Sequence, residues 1–78
     1  MGIKLKITDL PLMTGGGTRS IDGEIEVSNV MNWLERRHVV VYETLGFLFG
    51  NVITHELLDE ATDQIVDVLN QLDILEAE

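Results

Sequence analysis

The sequence predicts an α+β fold in which an N-terminal antiparallel β-hairpin precedes two α-helices, in the order ββαα. Two short runs within the first 27 residues alternate apolar and polar side chains, which is typical of half-buried strands. The rest of the chain repeats apolar residues every three or four positions, which is typical of amphipathic helices. The length of 78 residues without cysteine predicts one domain over residues 1–78, without disulfides.

The hairpin is predicted over residues 1–27. Its first strand, Ile3-Lys4-Leu5-Lys6-Ile7-Thr8, carries lysines on its polar face. Its second strand, Ile21-Asp22-Gly23-Glu24-Ile25-Glu26-Val27, carries acids on the corresponding face. Opposite charges on facing strands stabilise an antiparallel pair by about 0.2–1 kcal/mol each. We therefore expect the two runs to pair, closed by an unusually long Gly-rich loop at residues 9–20.

The first helix is predicted over residues 28–50. Ser28 has the side chain of a helix N-cap, and Gly50 is a typical residue for a helix end. One apolar stripe runs between them, at Met31, Leu34, His38, Val41, Leu45 and Leu48. Because residues 39–42 are β-branched or aromatic, strands within residues 38–53 remain a rival interpretation, with the order ββαββα.

The second helix is predicted over residues 54–76, with Thr54 as its N-cap. Its apolar stripe consists of Leu58, Ala61, Ile65, Val68, Leu72 and Leu75. Five acids lie on the opposite side: Glu56, Asp59, Glu60, Asp63 and Asp67. The pattern predicts a strongly amphipathic helix with an acidic outer face that packs against its neighbour.

The first helix has a second apolar set, Val30, Trp33, Val40 and Phe47, on another face. A helix that is apolar on two sides is normally buried on two sides. The chain is also 45% hydrophobic, with a mean hydropathy of +0.15, which is high for so small a protein. We therefore expect a homo-oligomer in which these four residues form the subunit interface.

Charge is distributed unevenly along the chain. All five basic residues lie at or before Arg37, whereas nine of the 14 acids follow Val39, so the net charge of −9 belongs to the second half. This distribution disfavours direct binding to nucleic acids and to anionic membranes. The acidic stripe Glu56, Glu60, Asp63 and Asp67 is instead the predicted site for a protein partner with a basic surface, with a merely solvated helix face as the alternative.

The loop residues Gly15, Gly16, Gly17, Thr18, Arg19 and Ser20 form the other candidate site. Successive glycine amides can form an anion-binding nest, and Arg19 would add a charged donor. The run lacks the Gly-Lys-Ser/Thr ending and the following helix of a phosphate-binding P-loop. Flexibility is the ordinary reason for glycines in a loop, and binding of an anionic small molecule or nucleotide is the alternative.

No catalytic, cofactor-binding or metal-binding residues are predicted, and we expect the protein not to be an enzyme. His38 lies in the apolar stripe of the first helix without a nucleophile, and His55 with Asp59 supplies too few ligands for zinc. The predicted function is a small acidic interaction module in the cytoplasm. It would act as an inhibitor or adaptor, such as a viral, phage-type inhibitor or nucleic-acid mimic located in the host cytoplasm. A ligand-binding oligomer and a structural subunit of a larger assembly are the alternatives.

Overall fold

A computed structural model of the protein describes residues 2–9 and 15–77 and confirms the α+β class. A three-stranded sheet is followed by two helices, so the rival ββαββα order is not needed. The elements are β1 (Lys4–Thr8), β2 (Gly17–Arg19), β3 (Glu24–Ser28), α1 (Trp33–Phe49) and α2 (His55–Ala77).

The two predicted strands pair with each other, but the predicted antiparallel direction is wrong. The sheet order is β1-β3-β2, and β1 and β3 run parallel with Lys4 opposite Glu24 and Lys6 opposite Glu26. The opposed charges are as expected, because alternation places the same side chains on the same face in either direction. A parallel pair needs a connection of about a dozen residues or more, which accounts for the long segment between the strands.

That connecting segment contains β2, which the sequence interpretation placed within a loop. β2 pairs antiparallel with β3, so the antiparallel hairpin of this fold joins β2 to β3. Its turn is closed by hydrogen bonds between Ser20 and Glu24 and between Gly23 and Ser20, and Gly23 has a φ of 88° that favours glycine. Residues 10–14 of the predicted loop lie outside the described residues.

The first helix begins later than predicted. Ser28 is not its N-cap, because β3 continues through Ser28, which is buried at the end of that strand. The N-cap is Asn32, whose Oδ1 accepts a hydrogen bond from the Glu35 amide at 2.9 Å. The predicted end is confirmed: the helix stops at Phe49, and the Gly50 amide donates to the Gly46 carbonyl at 2.8 Å.

The second helix begins as predicted, with the Thr54 hydroxyl accepting from the Leu57 amide at 3.1 Å. It lies antiparallel to α1, because Tyr42 meets His55 while Arg37 meets Asp73. α1 packs against β2 and β3 as well as against α2. Within the described residues, neither helix is long and apolar enough to cross a membrane.

The hydrophobic core is small. Among the described residues, the fully buried hydrophobic side chains are Ile25, Val27 and Leu58. The predicted apolar stripe of α2 is therefore buried at its start, whereas Ile65, Val68, Leu72 and Leu75 are exposed. The buried residues of α1 are Glu43 and Gly46 rather than those of an apolar stripe. Much of the apolar surface of the chain consequently faces solvent.

Candidate protein-interaction surface

An apolar groove of about 410 Å³ opens between the sheet and the helices. We name it the β1 groove. Its apolar lining includes Leu5, Ile7 and Val27 from the sheet and Trp33, Val40 and Leu69 from the helices. It forms because α1 covers β2 and β3 but not β1, so Leu5 and Ile7 remain 53% and 57% exposed. The groove is thus continuous with one edge of the sheet.

That edge is formed by β1, the outermost strand of the sheet on this side. The Lys4 amide donates to the Gly23 carbonyl and the Thr8 carbonyl accepts from the Asn29 amide, each at 2.9 Å. In a parallel ladder, alternate residues bond to the same neighbour, so the N–H and C=O groups of Leu5 and Ile7 point away from β3. Such an edge is a ready template for another strand.

Basic side chains surround the β1 groove and its edge. Lys4 and Lys6 lie on the other face of β1, where Lys6 pairs with Glu24 at 3.1 Å. Arg36 lines the groove, and within residues 2–9 and 15–77 its side chain has no hydrogen-bond or ion-pair partner. Four of the five basic residues of this strongly acidic chain, Lys4, Lys6, Arg36 and Arg37, therefore lie on β1 or at this groove.

Arg37 fixes the tryptophan at the groove. Its guanidinium pairs with Asp73 at 2.7 Å, donates to Asn70 at 3.0 Å and lies 5.0 Å from the ring centre of Trp33. A cation above the face of an indole ring is attracted by the ring's quadrupole. Trp33 is 54% exposed and held in position, which suits a large apolar anchor for a partner.

The predicted oligomer interface is only partly brought together. Trp33 and Val40 both line the β1 groove, and Val30 is exposed just before α1. Phe47 lies near the other end of α1, where its ring packs against Gly23. The second apolar set of α1 is therefore divided between contacts inside the chain and open surface.

The contacts of the glycine loop support a structural role. A Cβ on Gly16 would overlap with Met31, and one on Gly17 would overlap with Val39. The guanidinium of Arg19 donates to Glu43 at 2.6 Å, so its charge is already paired. Thr18 and Ser20 are exposed, and Gly15 has open space around it. Anion binding by this loop stays a prediction.

Arg19 also explains why α1 contains a glycine. A Cβ at Gly46 would overlap with the guanidinium of Arg19, which lies across the helix at that point. The resulting Arg19–Glu43 ion pair joins β2 to α1, with the Glu43 side chain 11% exposed. Removing Arg19 would leave the Glu43 carboxylate without its partner in a largely desolvated place.

The predicted acidic residues lie on the exposed face of α2. Glu56 and Glu60 are exposed, the Asp63 carboxylate is 3.7 Å from His38 Nδ1, and Asp67 accepts a hydrogen bond from Gln71 at 2.8 Å. This exposure leaves the stripe accessible to a basic partner. The role of the stripe in binding stays a prediction.

The two histidines contribute to the contact between the helices. His55 shares a hydrogen bond with the Tyr42 hydroxyl at 2.9 Å and lies 3.7 Å from Asp59. Burial raises the pKa of the Tyr42 hydroxyl above its ordinary value, and the negative charge of Asp59 adds to this effect. Within the described residues, no group of three or more His, Asp or Glu side chains converges on a metal position.

Comparisons with known proteins give no match. This holds for models of protein families, for curated proteins and for solved structures. The arrangement of the chain's own residues is therefore what supports a function, and the most distinctive arrangement is the β1 groove beside the open strand edge.

Proposed function

We propose that this protein is a non-catalytic interaction module that binds an extended segment of a partner protein along β1. The observation that carries the proposal is the open β1 edge lying directly beside the β1 groove. A strand added to this edge would gain main-chain hydrogen bonds from Leu5 and Ile7. Alternate side chains of the added strand would enter the groove. An inhibitor or adaptor would work in this way by occupying a segment of its target.

The chain itself shows which sequence suits β1. On its paired side, β1 meets β3, whose sequence Glu24-Ile25-Glu26-Val27 alternates acidic and apolar residues. The acids of β3 face the lysines, and its apolar residues enter the core. The open edge of β1 presents the same two faces. We therefore expect a partner segment that alternates acidic and apolar residues, with its apolar side toward Trp33.

A second copy of β1 does not suit this edge. Antiparallel pairing of two β1 strands about Leu5 would place Lys4 of one copy opposite Lys6 of the other. Like charges directly opposite each other destabilise a strand pair. Lysines on an edge strand are a common means of preventing self-pairing of sheets. The charge pattern thus favours a different, acidic partner.

Short synthetic peptides can test the proposal. We expect a six-residue peptide alternating glutamate with isoleucine or valine to change the fluorescence of Trp33, the single tryptophan of the chain. The matched control replaces each glutamate with lysine, and we expect it to bind at least tenfold more weakly. Equal binding of the two peptides, or no binding of the acidic peptide at millimolar concentration, would contradict the proposal.

A proline at position 7 tests the strand-addition geometry. Because the Ile7 amide points to the open edge, Ile7→Pro removes a donor for the added strand while leaving the bonds to β3 in place. Ile7→Val is the control, since it keeps the amide and most of the apolar side chain. We expect binding of the acidic peptide to be lost in the first variant and kept in the second. Unchanged binding in Ile7→Pro would rule out main-chain pairing.

A further inference from the structure

A second apolar surface lies on α2. The residues Leu58, Ala61, Ile65, Val68, Leu72 and Leu75 follow one another at alternating spacings of three and four. This spacing is the seam pattern of helices that pair along their length. Leu58 is buried inside the chain, whereas Ile65, Val68, Leu72 and Leu75 are between 39% and 68% exposed. We name these four residues the α2 seam.

The α2 seam is exposed because α1 packs against a different face of α2. That face carries Thr62, which is fully buried, Leu69, which lines the β1 groove, and Asp73, which pairs with Arg37. At about 100° per residue, these positions lie roughly a third of a turn away from the α2 seam. Nothing else in the described chain covers the seam.

The charges around the α2 seam permit a second copy to approach. In the numbering of a helical heptad, the seam residues take the two inner positions. The acids Asp59, Glu60, Asp63, Asp67 and Asp73 fall on the outer positions, whereas Glu76 flanks the C-terminal end of the seam. Gln64 and Gln71, which flank the seam on one side, are uncharged. A chain with a net charge of −9 thus keeps its acids away from the middle of this surface.

The accessible surface area of the chain is larger than that expected for a compact monomer of its mass. The accessible surface is 5590 Å², whereas a compact monomer of this mass is expected to expose about 4,700 Å². The excess is close to the roughly 800 Å² that one partner buries in a standard protein interface. Together with the small core, this excess supports a partner on an exposed apolar surface of the chain.

We infer that the α2 seam binds the α2 seam of a second copy, giving a homodimer with the same residues on both sides. This places the predicted self-association on α2 rather than on the apolar set of the first helix. The inference does not depend on the partner site at β1, since the two surfaces use different residues.

The oligomeric state of the full chain tests this inference. We expect a dimer by sedimentation equilibrium at 10–100 µM (about the range in which weak dimers form). Val68→Ser combined with Leu72→Ser should raise the dimer dissociation constant at least tenfold. The matched control combines Val30→Ser with Val52→Ser, which are more exposed residues outside the seam, and it should stay dimeric. A monomeric wild type, or a seam variant that dimerises as the wild type does, would overturn the inference.

Cross-linking gives a second measurement, in which the changed seam residue stays small and apolar. Because the chain has no cysteine, Val68→Cys places a single thiol within the seam. We expect a short bismaleimide linker to join two Val68→Cys chains and not two Val52→Cys chains. Equal cross-linking of the two variants would contradict the seam. The Val68→Ser, Leu72→Ser variant should also be tested for binding of the acidic peptide. If the dimer is lost and peptide binding is intact, the substitutions have affected the seam without affecting the site at β1.

Discussion

Replacing Gly17 with alanine tests why a glycine lies at the start of β2. A Cβ built at this position would overlap with Cγ1 of Val39 on α1 and lie 3.3 Å from the carbonyl oxygen of Glu26. Val39 is β-branched and its side-chain rotamer is restricted in a helix, so it cannot turn away easily. We therefore expect β2 and α1 to be forced apart in the Gly17→Ala variant.

The size of the effect follows from two opposing contributions. Adding a methyl group to a well-packed site destabilises a protein by about 1–3 kcal/mol. Removing a glycine from a strand stabilises it by about 0.5–1 kcal/mol, because the unfolded chain loses freedom. These ranges leave a net loss of about 0–2.5 kcal/mol for Gly17→Ala, centred on about 1 kcal/mol. Each kcal/mol lowers Tm by about 4–8 °C in a domain of this size.

The assay is urea unfolding at one fixed protein concentration, because the dimer proposed for α2 would make stability depend on concentration. Val39→Ala removes the overlapping methyl group, so Gly17→Ala should lose about 1 kcal/mol less in that background than in the wild type. Gly15→Ala is the control, since Gly15 has open space but a φ of 82° that strains alanine in either background. An equal loss from Gly17→Ala in both backgrounds would refute the close-approach explanation.

Two further predictions concern the contacts of α1. Arg19→Ala should lower the free energy of unfolding by about 1–2 kcal/mol, because it leaves the Glu43 carboxylate largely buried without its partner. Adding Glu43→Gln to the same chain should recover part of this loss, measured by urea unfolding. No recovery would argue against the ion pair. Tyr42 is the single tyrosine, so absorbance at 295 nm should show its pKa above the ordinary value of 10.0, and a midpoint at or below it would contradict the contacts. Because folding raises the pKa of Tyr42, its neutral hydroxyl contributes to stability. That contribution is complete below pH 10 and is lost as the pH rises through the folded pKa.

The features of the fold that the sequence predicts correctly are local ones. Thr54 caps α2 through its own hydroxyl, and the end of α1 lies at Gly50, as their positions beside periodic apolar residues predict. The direction of the β1–β3 pair was wrong because alternation is unchanged when a strand is reversed. The start of α1 was wrong because Ser28 and Asn32 are both good N-caps, and the extent of β3 decides between them.

The candidate site depended on packing that the sequence does not encode locally. The apolar stripes of α1 predict that it packs through apolar residues. Its buried positions are instead Glu43 and Gly46, because Arg19 crosses the helix there. With this face buried, α1 lies over β2, and Leu5 and Ile7 on β1 remain exposed to solvent. The one signal in the sequence was the excess of apolar residues over what a small core can hold, and it favours association without indicating which surface takes part.

Added salt should change binding at the two proposed surfaces in opposite directions. The α2 seam brings two chains of like charge together, whereas β1 binds a segment of opposite charge. Each copy carries a net charge of −9, so two copies that meet through the α2 seam repel each other over distances beyond the seam itself. At physiological ionic strength this repulsion is screened beyond about 8 Å, and the dimer should therefore become tighter as salt is added. An acidic segment on β1 is instead attracted by Lys4 and Lys6, and added salt should weaken its binding. If added salt strengthened both interactions, or weakened both, the charges assigned to one of the two surfaces would be wrong.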